Sequence, residues 1–186
     1  MTPPQIQHLT FGFKEHTADM LWLRAVQDFD YCENEIAKQT CQSSGWLYHM
    51  LDTITDLAPH FRMPYATGGL ALTVLVNDFP GASKIFDKGV GRFPKDWPLL
   101  SRAAYHALYE EKDKPKAARL LKMAGEAGGP PWYFALATRL SNESGDIHFG
   151  EILLKQLESE PNTDPFLLKT LRERVQRAQN EAASPR

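Results

Sequence analysis

Ala82-Ser83-Lys84-Ile85-Phe86-Asp87-Lys88-Gly89-Val90-Gly91-Arg92-Phe93-Pro94 is the stretch from which the fold can be read. Ala82, Phe86 and Gly89 are spaced by four and then three residues, which places all three on one face of a helix. Pro94 closes the segment, because proline lacks an amide donor and disfavours helical geometry in the residue before it. The pattern recurs on both sides. Leu47, Leu51, Ile54 and Pro59 repeat it upstream, and Ala117, Leu121, Ala124 and Gly129-Pro130 repeat it downstream, with proline one place late. Phe149, Leu153, Gln156 and Pro161 form a fourth copy. The first positions, 47, 82, 117 and 149, lie 35, 35 and 32 residues apart, a step that marks a repeat protein.

Each of these helices has an apolar helix upstream of it. Trp22, Ala25, Val26 and Phe29 follow a three-one-three rule, as do Ala66, Gly69, Leu70 and Thr73. Ser101, Ala104, Tyr105 and Leu108 make the third copy, and Tyr133, Leu136, Ala137 and Leu140 the fourth. Nine residues separate Thr73 from Ala82, Leu108 from Ala117 and Leu140 from Phe149. Turn formers fill those gaps: Asn77-Asp78-Phe79-Pro80-Gly81, Asp113-Lys114-Pro115 and Asn142-Glu143-Ser144-Gly145-Asp146. The spacing predicts four antiparallel helix pairs with tight turns.

The pattern resembles the tetratricopeptide repeat, a helix–turn–helix unit of about 34 residues. The resemblance covers Asp19 to Pro161 and is clearest at Ala82, Phe86 and Pro94. Phe149 and Gln156 depart from the small residues the family prefers, and Gly69-Leu70 reverses its usual large-then-small order. The resemblance implies an all-α, right-handed α-solenoid of about four antiparallel helix pairs with a C-terminal capping helix. The expected organisation is a lead-in arm over 1–18 and a repeat array over 19–161, with repeats at 19–60, 61–95, 96–130 and 131–162. A capping helix over 163–178 and a frayed tail over 179–186 follow. Asp164 and Pro165 suit a helix start, and Leu168, Leu171, Val175 and Ala178 supply the apolar side of the cap.

Composition narrows the function classes. The 186 residues are 42% hydrophobic and 24% charged, enough to build a continuous core. Lys and Arg number 21 against 23 Asp and Glu, which gives no electrostatic case for nucleic-acid binding. The longest nearly apolar run, Ala66 to Val76, is too short to span a bilayer and reads as a buried helix. The start, Met1-Thr2-Pro3-Pro4-Gln5, has no leader pattern, so the cytoplasm is the default expectation. An exported, periplasmic location is the alternative if an anchor has been removed. The sequence shows no phosphate-loop, H-E-x-x-H or G-x-S-x-G pattern, and no cofactor, metal or catalytic residue is expected.

Cys32 and Cys41 fall in the one connection that is longer than its siblings: 18 residues from Phe29 to Leu47. Free thiols, a disulfide, and a redox or metal role all remain open for this pair. The four tryptophans, Trp22, Trp46, Trp97 and Trp132, lie near helix starts or on first-helix faces; most are expected to wedge neighbouring repeats together, and an exposed one would instead mark an interface.

In the family the sequence resembles, the first helix of each pair lines a concave face that meets ligand. Carried over, this marks Gln27, Thr67 and Ala71, then Arg102, His106 and Tyr109, then Phe134, Thr138 and Ser141. Arg102, His106 and Tyr109 form one polar-aromatic line by helical spacing. The family's peptide-carboxylate clamp also uses inner asparagines, which are missing here, so chaperone C-termini are not the expected ligand. The implied function is a non-catalytic adaptor or scaffold that holds a peptide or protein segment, with self-association left open. An assembly factor of a bacterial-type envelope machine, such as a pilus or secretion system, is one alternative. An enzyme with a site in the concavity is the other.

Overall fold

The computed structural model describes residues 10, 12–33 and 41–141, with isolated positions between 154 and 180. Among the described residues there are seven helices and no strand. They are α1 (Lys14–Glu33), α2 (Trp46–Leu57), α3, α4 (Phe79–Arg92), α5 (Trp97–Tyr109), α6 (Lys114–Glu126) and α7 (Trp132–Ser141). The third helix, α3, is wound as π-helix over Pro64–Gly68 and Leu72–Val76, with an α-helical turn, Gly69–Ala71, between them. None of the seven is long and apolar enough to cross a membrane.

Two connections, 35 residues apart, share the same closing geometry. Asn77 and Lys112 both take left-handed backbone angles, with φ near 60°. The next residue, Asp78 or Asp113, accepts a hydrogen bond from the amide three residues on, Gly81 or Lys116. Its own amide reaches back to the carbonyl of Leu72 or Ala107, at 2.9 Å in both cases. The left-handed Asn77 stops α3 and Asp78 starts α4, so that chain reverses in two residues; between α5 and α6 the same pair, Lys112 and Asp113, follows Glu110 and Glu111 in a four-residue connection. Proline follows each cap in the first helical turn, where its missing amide costs nothing. The expected turn at 77–81 is therefore shorter than its composition suggests, since Phe79-Pro80-Gly81 is already helix.

Helices also meet across the repeat step. The Leu72–Val76 part of α3 packs on α1, the rest of α3 packs on α2 and α5, and α4 packs on both α2 and α3. Glycine makes two of these approaches possible. A Cβ on Gly68 would lie 2.7 Å from Leu51 of α2, and one on Gly69 would lie 2.9 Å from the Phe86 ring of α4. Enclosed on several sides, α3 is buried at every position except Thr67, as a helix apolar all round must be.

The expected core faces are in place. Leu47, Leu51 and Ile54, then Ala82, Phe86 and Gly89, then Ala117, Leu121 and Ala124 are all buried. All four tryptophans pack against the core, Trp22 on Phe61 and Trp97 on Tyr133. Val26 is the exception among the first-helix positions, because α1 turns it outward. α1 begins at Lys14, inside the span expected for the lead-in arm, and Phe13 before it stands 70% exposed. In the expected capping helix Pro165, Leu168, Lys169, Arg172, Glu173 and Gln176 are helical, and Leu168 packs against the core. The fourth triplet, Phe149, Leu153 and Gln156, lies outside the described residues.

Cys32, in the last turn of α1, and Cys41 are joined by a disulfide with a Cα–Cα distance of 5.8 Å. The longer first connection is thus explained by a longer α1 and by a covalent closure together.

The two equivalent caps are not equivalent in burial. Asp113 is exposed, whereas Asp78 is fully buried and also accepts the Ser44 amide at 2.8 Å, joining the segment before α2 to the α3–α4 connection. Urea denaturation should show a loss of about 1 kcal/mol for Asp113→Ala and about 2 kcal/mol or more for Asp78→Ala, which strands the buried Gly81 amide and the half-buried Ser44 amide. Equal losses would mean that the Ser44 bridge carries no weight.

Candidate functional site

Three of the residues expected to face a ligand do not face solvent. Arg102 is 4% exposed, His106 1% and Ala71 1%. The reason is the packing of α3 and α5 against each other and against their neighbours, which encloses every residue from Leu99 to Leu108. A polar residue so enclosed must find partners inside. The Nδ1 of His106 lies 2.8 Å from the Thr73 hydroxyl of α3, and its Nε2 lies 2.9 Å from the Ser83 hydroxyl of α4. A neutral imidazole carries one proton, so one of these hydroxyls accepts from the ring and the other donates to it. Burial pushes the His106 pKa down to about 4, against the pull of Glu111.

Glu111 continues the network outward. Its carboxylate is 3.0 Å from Nζ of Lys116, which also meets Asp87 at 2.8 Å. Burial raises the Glu111 pKa, and hydrogen bonds from Ser83 and Lys116 outweigh it, leaving the group below its ordinary value. This arrangement joins α3, α4, α5 and α6 through polar contacts. It offers no opening to a substrate at His106.

The other predicted positions scatter. Gln27 is exposed on the outer side of α1, among Met20, Leu23 and Val26. Thr67 and Tyr109 are half-buried. Phe134 is exposed and lies over Gly125, where a Cβ would come within 2.8 Å of its ring. Thr138 and Ser141 belong to α7, but their side chains lie outside the described residues.

The surface features absent from the sequence reading are ionic. Lys88 of α4 reaches Asp52 at 2.8 Å and Asp56 at 2.6 Å, both on α2. Burial lowers its pKa, and the hydrogen bonds to the two carboxylates outweigh that and raise it. Arg62, just before α3, makes a two-pronged bond to Asp96, the cap of α5. Beside that pair is a cleft of about 620 Å³ bordered by Arg92, Lys95, Phe93 and Trp97. A smaller cleft of about 320 Å³ lies on the other side of Arg92, against Lys88 and Tyr65. A signal for these pairs does exist in the sequence. Arg62–Asp96, Thr73–His106 and Lys88–Asp52 are separated by 34, 33 and 36 residues, close to the step of 32 to 35 residues read from the sequence.

The buried histidine fixes a pH dependence. Its folded pKa, about 4, lies below the ordinary 6.5, so protonation favours the unfolded chain. The stabilisation is whole above pH 6.5 and is lost as pH falls toward 4, by up to about 3 kcal/mol. Denaturation of wild type and His106→Gln across this window should show a steeper loss for wild type, and parallel curves would contradict the assignment. Searched against protein-family models, curated proteins and solved structures, the chain matches none.

Proposed function

We propose that this chain is a tetratricopeptide-like helical-repeat module that holds a segment of a partner protein and does no chemistry of its own. The observation that carries the reading is the pair of connections with the same left-handed residue, aspartate cap and backward hydrogen bond 35 residues apart. The packing of α1 on α3, α3 on α5 and α2 on α4 supports reading the helices as successive stacked units. Such a stack presents a surface that grows with repeat number, and repeat proteins use that surface to hold extended or helical segments.

The surface best suited to this role is not the Arg102–His106 line, which is interior. It is the outer side of α1, where Phe13, Met20 and Leu23 are 70%, 69% and 65% exposed and Val26 and Gln27 lie beside them. Methionine and leucine on one helix side provide adaptable apolar anchors for a partner. The disulfide adds a location to the reading. Cys32–Cys41 favours work in an oxidising compartment, which suits the envelope-assembly alternative better than the cytoplasmic default.

Immobilised wild type and a Met20→Glu/Leu23→Glu variant, each exposed to native extract, test the surface. The reading expects a defined polypeptide held by wild type and reduced more than about tenfold by the variant, at unchanged melting temperature. Retention by both proteins would rule out this face. For the compartment, intact mass of protein purified under alkylation should rise by two hydrogens only after reduction. Two alkylated thiols without reductant would remove the argument for export.

A further inference from the structure

Charge accounting along the helix seams singles out one cleft. Lys88 is neutralised by Asp52 and Asp56, Lys116 by Asp87 and Glu111, Arg24 by Asp28 and Arg62 by Asp96. The cleft between the end of α4 and the start of α5 breaks this rule. Arg92 donates to the imidazole of His60 and pairs with no carboxylate among the described residues. Lys95, exposed three residues on, has no hydrogen-bond or ion-pair partner among them. In a chain of net charge −2, these two cations border the same cavity of about 620 Å³. The one carboxylate there, Asp96, is already engaged by Arg62 and by the Leu99 amide that it caps.

We propose that this cleft binds a small phosphomonoester. Two uncompensated cations call for a ligand carrying two negative charges, and a phosphomonoester carries between one and a half and two near neutral pH (about −1.5 to −2). A guanidinium fork and a mobile ammonium are the side chains that hold phosphate oxygens, by directed hydrogen bonds and by point charge respectively. The remaining walls fit the other end of such a ligand. Phe93 and Trp97 line the cleft with aromatic surface, and Trp97 is held in place by its contact with Tyr133. Lys95 braces no helix, and Arg92 ties the end of α4 to His60 in the α2–α3 connection without using a carboxylate. The inference stands apart from the protein-binding reading, which uses α1.

Calorimetric titration of the full chain with phenyl phosphate, inorganic phosphate and phenol tests it. The proposal expects phenyl phosphate to bind at one site, phenol not to bind, and affinity to weaken with added salt. Lys95→Gln should weaken binding about tenfold and Arg92→Gln/Lys95→Gln further, as loss of charge-assisted hydrogen bonds requires. Inorganic phosphate as tight as phenyl phosphate assigns the cleft to the free anion, and weaker inorganic phosphate assigns it to an ester with a ring or chain. Because Lys95 has no partner, its replacement leaves the fold intact, which an unchanged circular dichroism melt verifies. Absence of binding by both phosphates, or binding unaltered in Lys95→Gln and in the double variant, overturns the proposal.

Discussion

The close approach of α2 and α4 to the glycine pair of α3 sets the spacing of the molecule. Leu51 lies where a side chain on Gly68 would begin, and the Phe86 ring lies where one on Gly69 would begin. A larger residue at either place would force the buried Leu51 or Phe86 side chain to shift within a close-packed interior. Held this tightly, α3 becomes the most enclosed helix, with α1 and α5 on its other sides. A third close approach, Gly89 against Tyr65, fastens the end of α4 to the start of α3.

Enclosure of α3 and α5 determines where polar groups are allowed. Thr73, Ser83 and His106 come from three helices and satisfy one another in the interior, which holds the imidazole neutral until well into the acid range. Toward the surface, charges pair across the seams and tie α2 to α4 and α4 to α6. Where the next seam carries Arg92 and Lys95 instead, positive charge is left facing a cleft. The same packing that closes off the expected ligand line leaves exposed apolar side chains on α1 and cations at the seam between α4 and α5.

Helix identity and the repeat step were legible because they rest on local signals. Ala82, Phe86 and Gly89 share a face by spacing alone, and the apolar run from Ala66 to Val76 reads as buried from composition alone. Aspartate before a proline-bearing turn announces a helix start at Asp78 and Asp113. Side-chain partners were less legible, because they lie about one repeat away. Arg102 and His106 sit at polar positions of a helix, a pattern shared by a solvated face and by an interior that supplies its own partners. What separates the two is the presence of Thr73 and Ser83 on other helices, which no local window contains. Val26 failed in the opposite direction: its spacing matches the core, but α1 uses Ala25 and Phe29 instead.

Native-state hydrogen exchange measured residue by residue tests the central claim that α3 is the structural centre onto which the other hairpins are stacked. Amides of Gly69 to Val76 should exchange only through global unfolding, with protection equal to the full stability, while those of α7 and the first turns of α1 open at lower free energy. Exchange of the α3 amides as fast as those of α1 or α7 would contradict the account.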